Sequence, residues 1–281
     1  MKKKNQYFIG DMSCICNISK KALRYYDEIN LIPSKRDDSN NYRYYTDESL
    51  LAVPVIKYYK QMGFTLEKMK EFIEGNNSDV FKAIRASFQD KLIELEKEQE
   101  NIRGKQVSVK DWYDLIMEAE TVIENDIREV SIKFVHQSLI LFQDQIFENN
   151  IKSSVINLEF TKHVEDLDNG ITGPVIINYS SFKDRLRNRE QKIKILQKTI
   201  IPCPEENQYR FGGQLMVSCY HIGAHEDIHE TYLKIANWAR ENGYILGSDS
   251  FERYVTDYWT TSNSSKFVTE ILVKASRSAK S

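Results

Sequence analysis

The sequence is poor in cysteine, with only Cys14, Cys16, Cys203 and Cys219 among 281 residues. No CxxC pair occurs, which argues against a structural zinc site and for reduced, packed thiols in a reducing compartment. No apolar run approaches the roughly 20 residues that a membrane span needs. The first ten residues, MKKKNQYFIG, are basic but lack an apolar core segment, so they do not read as a secretory signal. These absences make the cytoplasm the expected location and exclude a membrane partner. No internal repeat or low-complexity segment is found.

An excess of charge of one sign is also missing, since the net charge is only −2. Its distribution is uneven. Residues 1–45 carry nine Lys/Arg against five Asp/Glu, or +4, which leaves −6 for the remainder. A basic end on an acidic body points to an anionic partner at that end.

Proline is absent and glycine occurs once between residues 78 and 124, so this stretch reads as one long helix. Phe88, Leu92, Leu95, Gln99, Ile102, Gln106, Val109, Tyr113 and Ile116 recur in steps of four and three, a coiled-coil seam of about four heptads. A seam of that length predicts a homodimer. The alternative is that the helix packs on the chain's own third region.

Before it, residues 5–75 read as short helices and one hairpin. Ser19 is a suitable cap for a helix from Lys20 to Glu28. Ala22, Tyr26 and Ile29 form its inward stripe, while Lys21, Arg24, Tyr25 and Glu28 form another face. Cations near a helix N-terminus gain nothing from the macrodipole, so an external anion explains them better than internal stability does. A shorter helix from Ile9 to about Cys14 precedes it, making a helix-turn-helix candidate. Ile32–Lys35 and Tyr42–Tyr45 read as a hairpin closed by the turn-forming DDSNN. Thr46 caps a further helix that should stop at Gly63, and Pro54 inside it should kink or break it near Val53.

Residues 127–281 mix strands and helices. Strands are expected at 129–135, 138–143, 172–179, 192–197, 214–221, 250–259 and 266–274, with helices at 145–165 and 228–242. Two helices against an antiparallel sheet make an α+β arrangement.

The motifs IGDMS, LRYYD, YRYYT and QMGFTLEKM, spread over residues 7–74, resemble the DNA-binding domain of the MerR family of transcription regulators. The resemblance implies a winged helix-turn-helix that dimerises through an antiparallel coiled coil. It also implies binding to a palindromic promoter with an over-long spacer, and distortion of that DNA for RNA polymerase. Carried over by position, the DNA contacts are Ser19, Lys20, Lys21, Arg24, Tyr25, Tyr26, Arg43, Tyr44 and Lys60. Tyr26 is thus claimed by both the inward stripe and the DNA. Metal-sensing members have cysteines at the start of the dimer helix; this helix has none, so no metal or other cofactor is expected.

The third region is similar to the GyrI-like domain of the multidrug-sensing, BmrR-like branch, through the order of its elements and SDSFERY…FVTEILV. That resemblance places Glu252 in an aromatic pocket for a lipophilic, cationic small molecule, with Phe160, Tyr220, Tyr254, Trp259 and Phe267 as candidate walls. By composition alone, Glu252 is a surface acid beside Arg253, and the aromatics are sheet core. His221, His225 and His229 suit either a metal or simple solvation. The expectation is a ligand-responsive transcription activator without catalytic residues. The alternatives are a non-switching architectural or repressor protein, and a C-terminal hydrolase using Glu252 with a nearby tyrosine.

Overall fold

The computed structural model describes residues 6–37, 41–74 and 79–277, and the chain divides into two compact units, 1–98 and 99–281. The first unit contains β1 (Tyr7–Phe8), α1 (Ile9–Cys16), α2 (Lys20–Glu28), β2 (Lys35–Arg36), β3 (Arg43–Tyr45), α3 (Asp47–Gln61) and α4 (Leu66–Glu74). Helix α5 runs without interruption from Val80 to Glu124.

Helix α2 has the predicted limits because its cap is satisfied: the Ser19 hydroxyl accepts from the Ala22 N–H at 3.1 Å. Leu23 and Tyr26 turn inward onto Met12, Ile32, Tyr45, Val53, Ile56 and Met69. The hairpin is shorter than expected and gains a third strand, giving the order β1-β3-β2. Most of the DDSNN turn lies outside the described residues. Pro54 does not break α3. It lies on the exposed side between buried Val53 and Ile56, so the core holds both flanks of the residue that cannot donate to the helix ladder.

The second unit holds β4 (Ser131–Val135), β5 (Ser138–Phe147), α6 (Ile151–Val155), α7 (Leu158–Asp166), β6 (Ile171–Tyr179), α8 (Phe182–Leu186), β7 (Gln191–Thr199), β8 (Gln208–Phe211), β9 (Gln214–Ile222), α9 (Ile228–Glu241), β10 (Tyr244–Thr256) and β11 (Val268–Arg277). Eight antiparallel strands form one sheet in the order β4-β9-β11-β10-β6-β7-β5-β8. The helix expected at 145–165 is instead the end of β5 followed by two short helices. Asn149 takes a positive φ of 58°, and the side chains of Asn150 and Asn157 each cap a new start. Helix α8 and strand β8 were not expected.

Helix α5 carries two stripes. Leu115, Ala119 and Val122 are buried against Val255 and Val268 of the sheet. Gly104 lets the helix approach Ile200 closely, since a Cβ there would sit 3.0 Å from its side chain. Packing on the chain's own third region therefore holds for the C-terminal part of the helix, while another stripe stays exposed: Leu92, Leu95, Ile102, Val109 and Tyr113. Phe88 leaves the seam to join Tyr59, Phe64 and Phe72 in an aromatic cluster of the first unit.

Candidate ligand site and DNA-binding face

On the first unit, Lys20, Lys21, Arg24 and Tyr25 are exposed along one side of α2, and Lys60 is exposed near the end of α3. Ser19 is exposed, but its hydroxyl already serves the helix cap. Arg43 is half-buried, and its Nε donates to Asp27 Oδ2 at 2.8 Å, tying the wing to α2. Burial opposes ionisation of Asp27, but bonds from Ser34 and Arg43 outweigh it and hold the carboxyl below its usual range. Tyr44 is half-buried between β1 and β2. A cleft of about 650 Å³ brings Arg24, Arg36 and Arg43 together. Tyr26 is 7% exposed and packs in the core of the first unit. That is the inward position its spacing on α2 predicts.

In the second unit, strand alternation points Ser250, Glu252 and Tyr254 to the face of β10 that carries Ile177 of β6 and Ile271 of β11. Glu252 is wholly buried, and four hydrogen bonds converge on its carboxylate. Arg185 of α8 donates from Nε to Oε1 at 2.6 Å and from Nη2 to Oε2 at 3.3 Å. Tyr232 of α9 donates to Oε1 at 2.8 Å and Tyr254 to Oε2 at 2.6 Å. Because Tyr232 spends its proton on the carboxylate, the Ser250 hydroxyl 3.0 Å away must donate to it. Arg185 Nη1 donates to Asn188 Oδ1 at 3.2 Å.

Rings surround the guanidinium. Its carbon lies 4.7 Å from the Tyr179 ring centre, 5.3 Å from Phe147 and 5.9 Å from Tyr232. Burial by itself would raise the Glu252 pKa, but the charge of Arg185 and the bonds from Arg185, Tyr254 and Tyr232 hold it below the ordinary carboxylate value. The pair is a delocalised cation on a carboxylate floor inside an aromatic cage. Beside it opens a cavity of about 600 Å³, whose lining includes Arg185, Asn149, Asn150, Asn188, His225 and Glu226. His225 stacks on Phe267 at 5.0 Å and meets Tyr254 edge-on at 5.2 Å. Both its ring nitrogens are buried without a hydrogen-bond partner, and burial lowers its pKa to about 4.

Comparison with known proteins agrees with this division. Residues 7–76 match the MerR HTH family regulatory protein, and residues 145–275 match the GyrI-like small molecule binding domain. The chain belongs to the MerR family. It is 23% identical over 268 residues to the multidrug-efflux transporter 2 regulator of Bacillus subtilis, covering 90% of each chain. It is 47% identical over 80 residues to the multidrug-efflux transporter 1 regulator of the same organism, covering 28% of this chain and 29% of that one. A solved EcmrR–DNA complex aligns over 98% of this chain and 100% of that one, at 18% identity and a TM-score of 0.46. As a MerR-family chain with a GyrI-like domain, it is a DNA-binding regulator rather than an enzyme.

Within the GyrI-like domain the expected walls separate. Tyr254 bonds Glu252 directly, and Phe267 reaches the site through His225. Phe160 is core among Val164, Tyr179 and Ile195. Trp259 is 48% exposed and donates to the Val155 carbonyl at 3.2 Å, so it does not wall the cage. Tyr220 is a correction: it pairs in register with Glu270, on the opposite face of the sheet, and donates to Glu118 of α5 at 2.8 Å. The sequence-based site set lacks Arg185, Phe147, Tyr179 and Tyr232, the last of which falls within the helix expected at 228–242. Of the three histidines, His221 is bonded to Thr231 and Ala224, and among the described residues no metal-binding cluster forms.

Proposed function

We propose that this MerR-family chain is a ligand-responsive transcription activator that binds promoter DNA as a homodimer in the cytoplasm and senses lipophilic organic cations at Glu252. The observation that carries the cation class is the cage itself. A fully buried carboxylate ringed by Phe147, Tyr179, Tyr232 and Tyr254 suits a delocalised cation, and a guanidinium already sits there. The basic side of α2 supplies phosphate and base contacts. The exposed seam of α5 supplies a dimer surface.

Ligand binding can reach α5 through one strand. Glu252 and Arg253 are neighbours on opposite faces of β10, and Arg253 bonds Glu118 of α5. A cation at Glu252 therefore acts on a strand whose other face grips the dimer helix, biasing an equilibrium between DNA-bound states that RNA polymerase reads. The test is transcription in vitro with full-length protein, RNA polymerase and a promoter fragment selected by binding, with tetraphenylphosphonium as the probe cation. Transcript should rise with the cation, and Glu252→Gln should weaken cation binding by roughly tenfold or more, about 1.4 kcal/mol. Cation binding without any change in transcript would remove the switching claim. Identical footprints with and without cation would favour a static architectural or repressor role.

A further inference from the structure

The cage that suits an external cation is already occupied by an internal one. Arg185 is 3% exposed and Glu252 0%, so neither is a surface charge that chance has paired. Arg185 belongs to a five-residue helix joined to β6 and β7 by short connections, and among the described residues its carboxylate bonds are to Glu252. We infer that Arg185 is a specificity-determining residue that acts as a tethered competitor: an organic cation enters by displacing the Arg185 guanidinium from Glu252 and its rings. This inference rests on Glu252 being the cation seat.

Three features support displacement. The cavity of about 600 Å³ adjoins the guanidinium, so the side chain has somewhere to go. That cavity offers acceptors to a displaced guanidinium from Glu226, Asn149 and Asn150 in its lining. Moving outward also returns the guanidinium toward water, which recovers part of the cost of burying it.

Tethering sets a threshold. An intramolecular group competes at a high effective concentration, and apparent affinity falls by the fraction of molecules in which the seat is open. Small ammonium or guanidinium solutes match the charge of Arg185 but bring no additional apolar surface, so they do not displace it. A large lipophilic cation adds ring contacts and buried area that Arg185 lacks. The competitor thereby makes the sensor deaf to abundant small amines and responsive to bulky cations.

The experiment uses full-length protein and follows binding of tetraphenylphosphonium, with tetraphenylborate as the anion of matching shape. Arg185→Met should bind tetraphenylphosphonium at least tenfold more tightly than the wild type, and Arg185→Lys should fall between them. Free guanidinium at low millimolar concentration should compete with the probe in Arg185→Met and not in the wild type, a rescue that a merely structural role for Arg185 does not produce. Arg185→Lys keeps the buried charge, so it reports even if Arg185→Met does not fold. Unchanged or weaker binding of tetraphenylphosphonium by folded Arg185→Lys and Arg185→Met, together with Glu252-dependent binding by the wild type, overturns the competition alone. Wild-type binding indifferent to Glu252→Gln overturns the cation seat itself. Tetraphenylborate binding that is lost in Arg185→Met overturns both, by making Arg185 an anion receptor.

Discussion

The two faces of strand β10 solve the same problem in different ways. Facing α8 and α9, Glu252 meets one cation, Arg185, and two tyrosine hydroxyls, within a ring of aromatics. Facing α5, Arg253 is shared between Glu118 of the helix and Glu270 of β11, while Lys133 of β4 and Ser218 of β9 also bond Glu270. Both clusters bury charge, which is costly unless every charge is paired. The first is a closed ion pair, so the whole opposite charge leaves when one partner leaves, although hydrogen bonds from Tyr232 and Tyr254 stay with Glu252 and one to Asn188 stays with Arg185. The second is a network across five elements, two cations with two anions, in which Arg253 bonds both anions and each anion has more than one donor. A closed pair with a cavity beside it is suited to exchange, and a network that ties a strand to a helix is suited to transmission.

The largest expected effect tests the closed pair. Glu252→Leu takes the carboxylate from Arg185 and should cost the C-terminal unit about 3–5 kcal/mol in urea unfolding. Adding Arg185→Met to it should recover most of that loss, because a neutral pair of similar volume needs no compensation. Additive losses in the double variant would show that the two side chains do not form a closed pair.

The asymmetry was only half legible in the sequence. Strand alternation along SDSFERY separates Ser250, Glu252 and Tyr254 from Arg253, which lies on the opposite face in the observed register. The partner of Glu252 was hidden because Arg185 lies in DRLRNR, where a cluster of charges reads as solvated surface. Only tertiary packing brings one of those arginines under α9. Tyr220 was misplaced for a related reason, since its face depends on the register of β9 against β11, which a single strand does not encode. Helix α2 and the long helix α5 were readable because a cap and a lack of breakers are local signals. Strand β1 spans two residues, too few for any period to show.

A somewhat smaller effect tests how dry the Glu252 face is. His225 packs there against Tyr254, Tyr258 and Phe267, with Glu226, His221, Arg185 and Glu252 as its charged or titratable neighbours. Burial lowers its pKa to about 4 from an ordinary 6.5. As pH falls from about 6.5 to 4, the unfolded chain gains a proton that the folded chain refuses, so stability is lost by up to about 3 kcal/mol. Asp257, just past β10, has the opposite sign: burial, partly offset by the Trp259 N–H, pushes its pKa up to about 6. Its folded carboxyl takes a proton before the unfolded one does, which stabilises the fold by up to about 3 kcal/mol as pH falls from about 6 to 4. The two contributions nearly cancel in the wild type. His225→Phe should therefore gain stability relative to the wild type as pH drops from 7 to 4, and Asp257→Asn should lose it. A His225→Phe difference that stays constant with pH would mean a hydrated face and an open cage.

The smallest expected stability change carries the most functional content. Arg253→Met removes the shared cation of the network, yet Glu270 keeps Lys133 and Ser218, and Glu118 keeps Tyr220. With those partners left, the loss should be about 2 kcal/mol, below that of Glu252→Leu. Tetraphenylphosphonium should still bind within about twofold of the wild type, under about 0.5 kcal/mol, because Arg253 does not face the cage. Transcription should no longer respond to it, because the bond between the ligand strand and α5 is gone. Measured together, binding and transcript separate the faces: one recognises the cation and the other passes the event to the helix. A normal transcriptional response in a folded Arg253→Met variant would show that coupling runs elsewhere, through the ties between α5 and the sheet that remain: Asp111 with Thr172 of β6 and Lys198 of β7, Glu118 with Tyr220 of β9, and the packing of α5 on Val255 and Val268.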